Sequence, residues 1–217
     1  MLPYKDMTGR LYIKKSLFIL GAFFLTVLLA IFVINAPYFW TRLKFAVDTP
    51  NPKTVLQSIS RDVPTDTTKG AWQPNTLAIP SLGIAAPIQY AAQRDEVTFQ
   101  KLLKAGVVHY PGTALPGKIG NVFIFGHSSD YAWSGGDYKT VLALLPKLKK
   151  GEEIKVVDSD GYIYTYIVKN MVVAAPTDVQ WLNQDTNGKR LLTVQTSYPI
   201  GTALKRYLVI AELRQTD

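Results

Sequence analysis

From Thr76 onward the apolar residues come in short β-type runs, each closed by Pro, Gly, Asn or Asp. That pattern leaves few folds open. Thr76–Ile79 and Ile84–Tyr90 flank the turn Pro80-Ser81-Leu82-Gly83. Val107–Tyr110 precedes a Pro/Gly-rich loop over Pro111–Gly120, and Asn121–Phe125 runs straight into Gly126-His127. Glu153–Val157 and Tyr162–Val168 read as a hairpin around Ser159-Asp160-Gly161, with a further run at Met171–Ala174. Leu191–Thr196 and Arg206–Leu213 are the last two runs, joined by a turn over Ser197–Leu204 that contains Pro199 and Gly201. Two short helical pieces are expected: one capped by Asp95 and ending near Lys104, and a helical turn at Asp178–Leu182. Tyr138–Leu148 is a helix or a turn, interrupted by Pro146. Short strands at this spacing bury their apolar faces most simply by closing on themselves. The expectation is a mainly β domain over residues 76–217, a closed barrel of seven or eight strands with short helices.

The first 75 residues belong to a different regime. Residues 1–15 are polar and basic, with Lys5, Arg10, Lys14 and Lys15 against Asp6. Ser16–Thr41 carries no charge. As a helix its apolar centre, Leu17–Ile34, is about 27 Å long at 1.5 Å per residue, and Tyr38, Phe39 and Trp40 fall where an interfacial aromatic belt belongs. The run has no polar face, which argues against a buried core helix. It is long for a signal peptide, and no convincing A-x-A site follows. The expectation is a cytoplasmic tail over 1–15, one transmembrane helix over 16–41, and an outward-facing C-terminal domain. Residues 42–75, with Pro50, Pro52, Pro64 and Pro74, read as a stalk or linker with a short helix around Thr54–Arg61.

Charge narrows the partners only a little. The formal net charge is +8, but the basic residues are scattered and not interleaved with aromatics, so no nucleic-acid surface is expected. Anionic lipid or an anionic wall polymer would suit the same charge. The chain has no cysteine, which excludes disulfides, thiolate metal sites and a cysteine nucleophile.

Three residues stand out for chemistry. His127, in GHSSDY, ends an apolar strand and opens a Ser/Asp loop, a place to present a general acid or base; a structural loop histidine bonded to backbone is the plainer alternative. Ser197 follows one strand and Arg206 begins the next, so the two lie close together. A serine hydroxyl needs a base to attack a carbonyl, and an arginine can hold the developing oxyanion. Turn chemistry and an ordinary barrel-rim cation are the respective alternatives. His109, before Tyr110-Pro111-Gly112, reads as a packed or turn-stabilising residue. Two histidines without clustered carboxylates make no zinc site. There is no G-x-S-x-G elbow and no phosphate-binding loop.

HYPGTALPGKIGNVFIFGHSS (residues 109–129), LLTVQTSYPIGTALKRYLVIAEL (191–213) and the earlier IPSLGIAAPI (79–88) together resemble the sortases, membrane-anchored cysteine transpeptidases of bacterial cell surfaces. The resemblance covers roughly Thr76–Leu213. It implies a sortase-like barrel in which His127 is the catalytic histidine, Arg206 the arginine and Ser197 the nucleophile. It also implies substrates bearing an LPXTG-like sorting signal, cut at the Thr–Gly bond, and an amine acceptor on a peptidoglycan precursor or a pilin. Some relatives use calcium, but no acidic cluster here indicates a calcium site or any other cofactor.

The departure is Thr196-Ser197 where the family has Thr-Cys. A thiol titrates near 8.5 and forms a thiolate beside a cation, while a hydroxyl does not do so usefully near neutral pH. Three readings follow: a sortase whose nucleophile has been replaced by serine, a naturally serine-bearing homologue that is slow or only binds sorting signals, and a membrane-tethered structural or wall-binding barrel.

Overall fold

The computed structural model describes residues 7–47, 72–130 and 134–214. The chain divides into two compact units, Met1–Ala36 and Pro37–Asp217. Helix α1 runs Met7–Val47, and most of it falls in the first unit. Many of its described side chains are large, apolar and exposed, among them Leu17, Phe18, Phe24, Leu28 and Phe32. Thr26 is the one polar side chain between Leu17 and Val33, and it turns its hydroxyl back to the Ala22 and Phe23 carbonyls at 3.1 and 2.8 Å. Among the described residues, no helical stretch is long and apolar enough to cross a membrane. The span expected over 16–41 therefore rests on the sequence, and the short helix expected around Thr54–Arg61 lies outside the described residues.

The second unit holds a closed eight-stranded barrel. In chain order the strands are β1 (Thr76–Ile79), β2 (Ile84–Tyr90), β3 (Val107–His109), β4 (Gly120–Phe125), β5 (Glu153–Val157), β6 (Ile163–Ala174), β7 (Arg190–Tyr198) and β8 (Lys205–Leu213). Around the barrel the order is β1-β2-β3-β4-β7-β8-β6-β5, and β5 pairs with β1 to close it. β2–β3 and β4–β7 are parallel; the other pairs are antiparallel. Helix α2 (Glu96–Leu103) fills the β2–β3 crossover, and Asp95 caps it by accepting a hydrogen bond from the Thr98 N–H at 2.9 Å.

Alternation along the strands sorts side chains between two apolar regions. Val122 and Ile124 of β4, Leu192 and Val194 of β7, and Val209 and Ala211 of β8 point into the main core. Phe123 and Leu208 face the other way, into a second cluster with Ala174, Tyr110, Phe125, Trp181 and Leu182. That outer cluster is roofed by the β6–β7 connection, whose Gln180–Leu182 forms a 3₁₀ turn. Asn121 anchors the roof: its Nδ2 donates to the Trp181 carbonyl at 2.7 Å. Its backbone N–H donates to Gln184 Oε1 at 3.1 Å, and its carbonyl accepts from Gln184 Nε2 at 3.1 Å.

Two local expectations are corrected. Tyr162–Val168 and Met171–Ala174 are not separate strands. They are one twelve-residue strand, β6, and the register against β8 shifts between Val168 and Asn170. The exposed Lys169-Asn170 pair marks this bulge, which breaks the apolar alternation without ending the strand. β7 is also longer than expected: it runs through Ser197 to Tyr198, so Ser197 sits on a strand and not in the turn. Tyr138–Leu148 resolves into turns with a 3₁₀ segment at Leu145–Lys147, where Pro146 occupies the start.

Candidate active site

Strand parity brings the three sequence candidates to one face. On β4 and its extension, Phe123 and Phe125 face outward, and His127 keeps that phase beyond the strand. On β7, Ser197 is one step out of phase with inward Leu192 and Val194. On β8, Arg206 shares the phase of outward Leu208. Ser197 and Arg206 are directly paired across β7 and β8, a relation that sets their Cβ atoms about 5 Å apart. β4 runs parallel to β7 with Phe125 opposite Gln195, so His127 arrives beside Ser197. All three line one cleft of about 360 Å³, together with Glu96, Phe99 and Gln100 of α2 and Asp178, Trp181 and Leu182 of the roof. Its size and aromatic lining suit a ligand cleft.

Buried polar bonds fix the strand exits. The Gly126 N–H donates to the Gln195 carbonyl at 3.1 Å. Thr196, 1% exposed, points inward and donates from Oγ1 to the Gly126 carbonyl at 2.9 Å. The two residues that precede His127 and Ser197 are thus bonded to each other. Gly126 has to be glycine for space. A Cβ there would lie 2.9 Å from Val107 Cγ1 and 3.0 Å from Leu142 Cδ1, and the Leu142 N–H donates to the His127 carbonyl at 2.9 Å. Beyond it, Ser129 Oγ accepts from the Gly201 N–H at 3.0 Å, tying the histidine loop to the β7–β8 turn. That turn opens with a cis Tyr198–Pro199 bond. Arg206 Nη1 donates to the Ala203 and Lys205 carbonyls, each at 3.1 Å, which holds the guanidinium against its own turn.

The His127 side chain is 17% exposed, and its Nε2 lies 3.9 Å from Asp130 Oδ2. Burial lowers the imidazole pKa below its ordinary 6.5, and the Asp130 and Glu96 carboxylates work against that shift. Burial thus favours the neutral ring, which can accept a proton, over the imidazolium. His109, by contrast, is buried away from the cleft. Its Nε2 lies 2.9 Å from the Ala114 carbonyl and 3.2 Å from Thr113 Oγ1, and its ring packs on Tyr90, as a turn-stabilising residue should. Among the described residues, no group of three His, Asp or Glu side chains gathers to hold a metal ion.

Sequence reasoning assigned no role to Thr196, Asn121 or Gln184, and none to Asp130, although its spacing from His127 was visible. The signals were faint. Thr196 shows only as the polar residue at an inward position of β7, and Asn121 only as a polar residue starting an apolar strand.

A closed eight-stranded barrel of this strand order, with a β6–β7 roof over one outer face, defines a sortase-type fold. The Sortase domain matches residues 77–214, and the chain belongs to the sortase family. No curated protein matches it. Solved sortase structures do. Sortase C-1 from Actinomyces oris is 26% identical, with 77% of this chain and 84% of that one covered and a TM-score of 0.55. Sortase C from Clostridium perfringens, solved with the C-terminal cell wall sorting motif, is 26% identical, covering 65% and 70%, with a TM-score of 0.54. Sortase C1 from Streptococcus suis is 22% identical, covering 66% and 74%, with a TM-score of 0.55.

Proposed function

We propose that this protein is a membrane-anchored sortase-type transpeptidase that uses Ser197 in place of a thiol. It cleaves an LPXTG-like sorting signal and joins the freed carbonyl to an amine on a peptidoglycan precursor or a pilin. The observation that carries this reading is the direct β7–β8 pairing of Ser197 with Arg206 in the cleft that also holds His127. The likeness to the Clostridium perfringens enzyme solved with a sorting motif supports the substrate class. In the reaction, Ser197 Oγ attacks the Thr–Gly carbonyl while neutral His127 takes the hydroxyl proton. Arg206 stabilises the oxyanion, the C–N bond breaks, and His127 returns the proton to the leaving amine. The acceptor amine then attacks the ester and frees the serine.

Serine makes this enzyme slow relative to a thiolate, because proton removal has to accompany attack. Ser197→Cys is expected to raise the yield of peptide–amine product roughly 100-fold or more, about 2.7 kcal/mol of barrier. His127→Ala abolishes turnover in both forms. Chromatography of LPXTG-like peptides incubated with a small amine checks this; a Cys form that makes no product with a broad peptide panel contradicts it. The hydroxyl itself favours one other reading, a homologue that binds sorting signals without turning them over. In that case Ser197 and Ser197→Cys bind peptide alike and only the cysteine form transfers it.

The anchor belongs to the same proposal. The uncharged Ser16–Thr41 run supports a single span with the N-terminus cytoplasmic and the barrel outside, and the back-bonded Thr26 hydroxyl is compatible with a lipid setting. Deleting residues 1–41 is expected to move the protein from the membrane to the soluble fraction. Undiminished membrane retention of the truncated chain contradicts the anchor.

A further inference from the structure

The proposed mechanism asks a buried imidazole to act as a base toward a hydroxyl, and such a base works only in one tautomer. A histidine that takes a proton on one ring nitrogen must carry its own proton on the other, held by an acceptor. Arg206 cannot supply that acceptor. One carboxylate, Asp130 of its own loop, lies beside His127, and two others line the cleft, Glu96 from α2 and Asp178 from the roof. Asp178 is engaged with the Gln180 side chain at 2.8 Å and the Trp181 indole N–H at 3.2 Å. Glu96 is exposed and accepts from Gln100 Nε2 at 2.7 Å.

Asp130 is placed differently. Its side chain is 19% exposed, close to the 17% of His127. Ser134 Oγ donates to its Oδ1 at 2.9 Å, which turns the other oxygen, Oδ2, toward His127 Nε2 at 3.9 Å. That separation exceeds a hydrogen bond, but catalytic contacts of this kind are commonly long before substrate closes the site.

We propose that Asp130 is a positioning residue that completes a Ser197–His127–Asp130 relay, holding the imidazole as its Nε2–H tautomer so that Nδ1 is the nitrogen that receives the Ser197 proton. This rests on the Ser–His reading of the proposed function. The Ser197 Oγ–H proton passes to Nδ1 as the Oγ–C bond forms. The C–N bond of the substrate breaks, and the same proton leaves Nδ1 for the departing amine. The Asp130 carboxylate faces and stabilises the imidazolium that forms between those two transfers. Ser134 orients Asp130 in turn. Serine at 197 and a carboxylate beside His127 are thereby parts of one arrangement: a hydroxyl needs the oriented neutral base that a thiolate does not.

The test reads the ring directly. Full-length protein labelled with ¹⁵N at histidine is followed by NMR across pH 5–8, alongside Asp130→Asn and Ser134→Ala. The expected parent spectrum is His127 protonated at Nε2 and bare at Nδ1 above its pKa. Asp130→Asn shifts the tautomer balance toward Nδ1–H and moves the titration midpoint to lower pH, because the carboxylate that favours the protonated ring is gone. Ser134→Ala moves both in the same direction by less. The acylation rate of the serine form falls by about 100-fold or more in Asp130→Asn with peptide binding unchanged. A parent His127 protonated at Nδ1, or a tautomer and midpoint that Asp130→Asn leaves unmoved, overturns the proposal. The spectra need no turnover. Absence of any acyl-enzyme would therefore count against the Ser–His reaction itself, while the tautomer decides the role of Asp130.

Discussion

At the scale of single residues, the site depends on what stands behind the reacting groups. Thr196 makes none of the chemistry, yet its buried hydroxyl is bonded to the residue before His127, and it adjoins Ser197. Thr196→Val keeps the shape and leaves the Gly126 carbonyl without that donor. Such a loss costs on the order of 1–3 kcal/mol when the group is buried. The expected result is a protein that melts earlier and acylates more slowly than the stability change alone explains, because His127 and Ser197 no longer share a fixed spacing. Denaturant unfolding and an acylation time course check it; a variant as stable and as fast as the parent contradicts it. His127, Ser197 and Arg206 were each visible in the sequence because they sit at motif positions. Thr196 and Asp130 carry no such signal, because what sets them apart is a partner far along the chain or the direction one oxygen faces. Spacing alone conveys neither.

At the scale of elements, local chemistry made most of the barrel legible. Gly83 takes the left-handed conformation that ends the Pro80–Leu82 turn, Asp95 caps α2, and Asp158 and Gly161 close the β5–β6 hairpin as turn residues do. What local pattern could not convey was continuity. The polar Lys169-Asn170 pair looks like the end of a strand, but cross-strand bonds to β8 on both sides carry β6 through it. Ser197-Tyr198 before Pro199 looks like a turn, but pairing with Arg206 and Lys205 extends β7. Both differences come from partners supplied by another part of the chain. The second matters for function: a serine on a paired strand is held more rigidly than one in a turn. The β6–β7 roof was legible only as a helical turn at Asp178–Leu182. Its attachment through Asn121 and Gln184, 63 residues apart, has no local signature.

At the scale of the whole molecule, the sequence divides into a basic tail, an uncharged run, a Pro-rich stretch and a barrel, and each division follows composition. The barrel over residues 77–214 belongs to the sortase family, with a serine where the family's thiol is expected. Whether this serine is a working nucleophile is read by intact-mass spectrometry of the protein mixed with an LPXTG-like peptide. A slow rise of an adduct equal to the acyl fragment is expected, mapped to Ser197, cleared by an added amine, lost in Ser197→Ala and formed faster in Ser197→Cys. An adduct on Ser197→Cys with none on the serine form at any time or pH would contradict it, and would make the natural role of this barrel the binding of sorting signals rather than their transfer.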